Sequence, residues 1–194
     1  MLLDEPFSNL DASLRDRLRQ EVSEILRKAG VTAVFVTHDQ EEAMSIAEHV
    51  AVMRDGRVEQ CGTPEEVYLR PASRWMATFL GHIEVLPGEA RSGHASCELG
   101  RLPIDLKIDG AVDVLVRPEG LAIGVSGPEG AARAEVVSRR FFGHDQLLGL
   151  RLESGQVVRS RRLGYPAWHP GDRVHVWIEG PVEVLAREDE PVPV

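Results

Sequence analysis

Met1-Leu2-Leu3-Asp4-Glu5-Pro6-Phe7-Ser8-Asn9-Leu10-Asp11 decides how the chain is read. A short apolar run ends in two consecutive carboxylates, and Pro6 stops the strand that carries them. Acids at the carboxyl end of a buried strand are costly to place, because a buried charge needs a partner. A metal ion is the usual partner, and a reacting water is the usual reason for a second acid. Taken alone, the run also fits a strand that ends in a solvated acidic turn.

The following residues extend the pattern. In Ala12 to Ala29 the residues Leu14, Leu18, Val22, Ile25, Leu26 and Ala29 fall on one helical stripe. Arg15, Arg19, Glu24 and Lys28 are expected on the wet side. Asp11 can cap the start, and Gly30 after Arg27-Lys28-Ala29 marks the stop. Thr32 to Thr37 is a continuous β-favouring run, of the kind found in parallel strands covered on both faces. Strand, helix and strand make a βαβ unit. Its two strands end at one edge, which is where open α/β sheets bind ligands, so Glu5 and His38 are expected to converge.

Three segments in register, Leu2-Leu3-Asp4-Glu5, Ser8-Asn9-Leu10-Asp11 and Thr37-His38-Asp39-Gln40-Glu41-Glu42-Ala43, resemble the Walker B motif, D-loop and H-loop of ABC-transporter ATPases. The resemblance implies Asp4 on Mg²⁺ through water, Glu5 activating the attacking water and His38 on the γ-phosphate of ATP. It also implies Ser8, Asn9 and Asp11 in a D-loop facing a second subunit. Asp11 has a plain reading as a helix cap, and both can hold together. A carboxylate can take a proton from water and an imidazole can donate to a phosphate oxygen, so the chemistry agrees.

The rest of the first region reads as scaffold. Asp39-x-x-Glu42 has capping-box spacing and opens a helix to about Glu48. His49 to Arg54 and Arg57 to Cys61 flank Asp55-Gly56, a two-residue hairpin signal. Thr63-Pro64-Glu65-Glu66 opens another helix, and Ser73 to Leu80 is a last short one that ends at Gly81.

From His82 the helical stripes vanish. Strands are expected at His94 to Leu99, Leu102 to Ile108, Val112 to Val116, Leu121 to Val125, Ala134 to Phe142, Gln146 to Leu152, Gln156 to Arg161, Arg173 to Ile178 and Val182 to Ala186. That spacing implies a small barrel or sandwich. Val114-Leu115-Val116-Arg117-Pro118-Glu119 and Phe141-Phe142-Gly143-His144 resemble the TOBE module, an OB-like barrel appended to many importer ATPases. In that family the module contributes to subunit pairing and sometimes to sensing. Val85-Leu86-Pro87-Gly88-Glu89-Ala90 looks most like ferric-iron, related anion or polyamine importers. Arg139, Arg140, Arg159, Arg161 and Arg162 read as a solvated strand face, with an anion or regulator site as the alternative.

The expected architecture is therefore a partial α/β P-loop NTPase over residues 1–81, followed by an all-β OB-like TOBE domain over 82–194. The resemblance implies a homodimer of ATPase subunits, transmembrane permease partners and a place on the cytoplasmic face of the membrane. A net charge of −9 argues against a nucleic-acid surface. Cys61 and Cys97 stand in no metal-ligand spacing and read as reduced thiols. No apolar run reaches the roughly 18 residues of a spanning helix, and no secretory leader is visible.

The sequence contains no Gly-x-x-x-x-Gly-Lys-Ser/Thr loop and no Leu-Ser-Gly-Gly-Gln-type signature. The chain thus reads as the carboxyl-terminal portion of such an ATPase, inactive by itself, with an apolar face left on strand Thr32 to Thr37. Two other readings stay open. One is a non-catalytic regulatory or dimerisation module, and the other is a DNA-repair-type ABC ATPase, which the acidic charge and β-rich tail disfavour.

Overall fold

A computed structural model of the chain describes residues 1–8, 10–180 and 182–187. They form two compact units, Met1–Ala72 and Ser73–Val194. The division falls nine residues ahead of the change in texture at His82, so the short helix Arg74–Phe79 goes with the β-rich unit.

The first unit opens with strand β1 (Leu2–Asp4), helix α1 (Ala12–Ala29) and strand β2 (Val34–Val36). β1 and β2 pair in parallel, with Leu2 opposite Val34 and Asp4 opposite Val36. α1 occupies the span its caps predict. The Asp11 carboxylate accepts from Leu14 N–H at 3.0 Å, and Gly30 takes the left-handed conformation with φ 63°. Leu14, Leu18, Val22 and Leu26 are half-buried along the stripe.

Three residues of α1 depart from the expectation. Ile25 and Ala29 are exposed, while Arg19, placed on the wet side, is buried with 7% of its surface accessible. A helical stripe reports which residues share a face, and it cannot report that two acids from a later segment come to meet an arginine.

Helix α2 (Gln40–Ile46) follows β2, and strands β3 (Val50–Arg54) and β4 (Arg57–Gly62) form the hairpin around Asp55-Gly56. Both turn residues have positive φ, 50° and 76°, as the turn requires. Helix α3 (Pro64–Leu69) begins in a full capping box between Thr63 and Glu66. At α2 the box closes on one side only. Asp39 accepts from Glu42 N–H, but the Glu42 carboxylate accepts from Thr37 Oγ1 at 3.1 Å, and Asp39 N–H goes to Thr37 Oγ1.

The parallel pair is thinly covered. Phe35 stacks on buried Phe7, with ring centres 6.3 Å apart, whereas Leu2, Val34 and Val36 stay exposed. The apolar run that suits a strand covered on both faces lacks that cover in this unit.

The second unit begins with helix α4 (Arg74–Phe79), capped by Ser73. Ten strands follow: β5 (Glu84–Arg91), β6 (His94–Cys97), β7 (Gly100–Pro103), β8 (Gly110–Val116), β9 (Leu121–Gly124), β10 (Ala132–Phe141), β11 (Asp145–Leu152), β12 (Val157–Leu163), β13 (Arg173–Ile178) and β14 (Glu183–Ala186). They make two five-stranded antiparallel sheets, ordered β12-β11-β10-β13-β9 and β14-β8-β5-β6-β7. One apolar core serves both, with Leu86, Val114, Leu121, Val136, Leu148 and Leu150 fully buried. This is the all-β, OB-like domain.

β5 is the strand missing from the sequence reading, and it is interior to its sheet. Pro87-Gly88 reads as a breaker, because a proline in a central strand removes a ladder bond. Here Pro87 sits where β5 is paired only with β8, since pairing with β6 starts at Gly88. Gly88 has its own reason to be there: a Cβ at that position would lie 2.8 Å from Ser96 O and 3.1 Å from Val114 Cγ2.

Candidate functional site

The candidate site lies at the carboxyl edge of β1 and β2. Asp4 ends β1 and is exposed. Glu5 follows in the left-handed region, φ 44°, unusual for a side chain of its size and worth about 1–3 kcal/mol of local strain. Its N–H still donates to Val36 O at 2.8 Å, so the strand pairing runs one residue past β1 before the chain turns away.

The parallel register places the residues after Asp4 beside those after Val36, and His38 meets Glu5 there. His38 Nδ1 donates to Glu5 Oε1 at 2.9 Å, with both side chains open to solvent. That bond, then the charge of Glu5, lifts the imidazole above its ordinary value. With Nδ1 engaged, Nε2 is the nitrogen left for a ligand, and it becomes a donor when the ring is protonated.

A titration follows. His38 is expected to titrate above the ordinary histidine range in the wild-type chain and to return toward it in Glu5→Gln, as read by histidine-ring NMR. For a group raised in the folded state, the stabilising contribution is present below the unfolded value and is lost as pH rises through the folded one. A His38 titration identical in the two proteins would refute the contact.

The turn after Glu5 is tied back onto it. Ser8 N–H and Ser8 Oγ both donate to Glu5 O, and Leu10 N–H donates to Phe7 O. Asp11 caps α1, and the Leu14 N–H it accepts holds its carboxyl below the usual range. Asn9 lies outside the described residues. The structure thus brings Asp4, Glu5 and His38 to one edge, with Ser8 in the adjoining turn and Asp11 at the head of α1.

Sequence reasoning missed what stands behind that edge. Asp39, next to His38, caps α2 and accepts from Arg19 at 2.8 Å, with Arg15 at 3.5 Å from the same oxygen. Arg19 also faces the buried Glu42 carboxylate at 3.6 Å. Arg15 reaches the other way as well, donating to Leu10 O at 2.9 Å. Burial works against the Asp39 carboxylate, but the Glu42 N–H and the Arg19 guanidinium outweigh it and hold it below the usual range. The available signal was two arginines one helical turn apart, ahead of an acid that follows the histidine.

In the second unit the arginines of the cluster have different polar partners, although Arg140 and Arg161 both lie over the Phe142 ring. Arg139 donates to Gln146 Oε1, Arg159 pairs with Glu84, Arg161 with Asp145, and Arg162 with Glu179 and Glu119 O. Arg140 lies over the Phe142 ring at 5.7 Å and has no carboxylate partner among the described residues. The guanidiniums do not converge on one anion site.

Comparison with known proteins gives the setting. Residues 114–182 match the family model described as TOBE domain. The Fe(3+) ions import ATP-binding protein FbpC of Serratia marcescens is 39% identical over 188 residues, covering 96% of this chain and 54% of that protein. FbpC 1 of Rhodococcus jostii is 43% identical over 187 residues, covering 93% and 53%. FbpC of Pseudomonas fluorescens is 40% identical over 192 residues, covering 95% and 54%. The chain spans about half the length of the relatives it matches. No helix among the described residues is long and apolar enough to cross a membrane.

Proposed function

We propose that the chain belongs with the TOBE-bearing ATP-binding proteins of ABC importers and is the carboxyl-terminal portion of an ATP-hydrolysing import subunit. Residues 1–81 are its share of a P-loop NTPase domain, and 82–194 are its regulatory TOBE part. The parent couples ATP binding and hydrolysis to uptake of ferric iron or a related solute. It works as a homodimer with transmembrane permease subunits on the cytoplasmic face of the membrane, and binds no nucleic acid.

The observation that carries this reading is the Glu5–His38 contact at the ends of adjacent parallel strands. Glu5 is the base that takes a proton from the attacking water. His38 orients that base through Nδ1 and presents Nε2 to the γ-phosphate. Ser8 and Asp11 face the second subunit.

The donor set fits Mg²⁺ held jointly with a nucleotide. Asp4 offers hard oxygen at the strand end, and no trio of His, Cys, Asp or Glu among the described residues is placed to hold an ion unaided. Mg²⁺ commonly takes one or two carboxylates and completes its octahedron with waters and phosphates. Asp4 is the residue that would hold the ion, through water, and the chemistry the ion would supply is neutralisation of phosphate charge.

By itself the chain is expected to bind ATP weakly and not to turn it over, for want of the glycine-rich loop whose amides cradle the phosphates. The test is nucleotide binding and phosphate release, measured on the chain alone and on a longer product with such a loop ahead of Met1. Turnover only in the longer product supports the reading. Turnover by the chain alone, or none in either, overturns it.

A further inference from the structure

We infer that Arg15 is a positioning residue that ties the segment entering α1 to the histidine edge. The inference rests on the proposed reading for its functional meaning, while its geometry stands without it.

The guanidinium of Arg15 faces two ways. One end-nitrogen donates to Leu10 O at 2.9 Å, in the turn that follows Glu5. The other lies 3.5 Å from Asp39 Oδ2, and Asp39 directly follows His38 and caps α2. A planar fork suits this task, since its donors diverge at fixed angles and two acceptors on separate segments are held at a set separation.

The Asp39 end of the tie is firm. Arg19 shares the same oxygen at 2.8 Å, and the other Asp39 oxygen accepts the Glu42 N–H. Thr37, on the far side of His38, is held through its own hydroxyl to the Glu42 carboxylate and the Asp39 N–H. His38 is therefore clamped from both neighbours, although its own ring is exposed.

The Leu10 end is lighter, with Leu10 N–H to Phe7 O at 3.3 Å as its other backbone bond. A displacement of residues 8–11 thus has a direct route to Asp39, and from Asp39 to the backbone of His38. A subunit that closes on the segment 8–11 would be sensed at the Glu5–His38 contact from two sides, through Ser8 at Glu5 O and through Arg15 at Asp39, and the second of these reaches the histidine. Arg15 touches no reacting atom in this scheme; it acts through Leu10 and Asp39.

The test uses the chain without nucleotide, so its failure is separate from failure of the ATPase reading. Arg15→Met keeps the aliphatic stem and removes the fork. Hydrogen exchange is expected to quicken roughly fivefold at 8–11 and at 38–42, the loss of one hydrogen bond's net worth. Exchange over the last turns of α1 is expected to stay at the wild-type rate. The ring-nitrogen NMR signals of His38 are expected to shift away from the Nδ1-bonded pattern. Arg17→Met, which among the described residues loses only the exposed pair with Glu21, is expected to do neither.

A merely structural role would speed exchange along all of α1 and leave the His38 ring signals in place, and that result overturns the inference. So does a change confined to 8–11. Should Arg15→Met fail to fold, Arg15→Gln, which can reach one of the two acceptors but not both, is read by the same signals.

Discussion

Glu5→Gln in the full-length ATPase proposed above is expected to lower ATP turnover by about 10²–10⁴-fold, the range by which a positioned general base contributes. Nucleotide binding is expected to survive. The amide keeps the size of the side chain and can still hydrogen-bond His38, but it cannot accept a proton from water at neutral pH. The loss therefore falls on kcat, with little change in the affinity for ATP. Steady-state phosphate release and direct nucleotide binding, measured side by side, separate these quantities. Wild-type turnover in the variant would remove Glu5 from the role of base. A parallel loss of binding would instead place it in nucleotide retention.

Arg159→Ala is expected to destabilise the second unit by about 2–4 kcal/mol near neutral pH, by leaving a buried carboxylate without its partner. Glu84 is 6% exposed on β5, and Arg159 Nε on β12 donates to it at 2.6 Å, with His82 Nδ1 3.2 Å from the same guanidinium. Burial pushes the Glu84 carboxyl above its usual 4.5, and Arg159 only partly offsets that.

The sign follows from proton counting. A carboxyl raised on folding binds more protons in the native state than in the unfolded one over the interval between its two values. Stability thus falls as pH rises through that interval. In the wild type the contribution is whole below the unfolded value and is lost as pH rises through the folded one. Without Arg159 the folded value climbs further and the interval widens toward neutrality. The deficit of Arg159→Ala should accordingly shrink in acid, and the double variant Glu84→Gln/Arg159→Leu should recover much of it. Denaturation midpoints across pH 4–8 (a span chosen about the usual carboxylate and histidine values) decide the matter. A deficit that does not vary with pH would mean Arg159 acts by packing alone.

Much of the fold was legible in the sequence where local chemistry fixes backbone conformation. Asp11 and Gly30 bound α1, Thr63 with Glu66 sets α3, and Asp55-Gly56 makes the hairpin, each through bonds or dihedrals within a few residues. The meeting of Glu5 with His38 was legible too, because parallel strands joined by a helix must end at one edge.

What escaped depends on partners distant in sequence. β5 contains Pro87-Gly88, a signal for a break, and only its neighbours show why the break does not occur. Arg19 looks solvent-facing on a helical wheel until Asp39 and Glu42 arrive. The five arginines of the cluster look like one cationic surface until four are seen to hold hydrogen-bonding or charged partners, while Arg140 shares the Phe142 ring with Arg161.

The seam that joins β5 to the later strands also governs the order of events during synthesis. Arg159 meets Glu84 across 75 residues and Gln156 Nε2 meets Val85 O across 71, while Ser154 meets Glu98, in the turn after β6, across 56. Contacts so distant in sequence form late, because the chain between them must first lose the entropy of closing a long loop. The β10–β11 hairpin can zip as soon as it leaves the ribosome, and β5 can pair with β8 once Val116 is made, with Leu86 opposite Val114. The Glu84 carboxylate must still wait for Arg159, so β5 is complete in pairing before it is complete in charge.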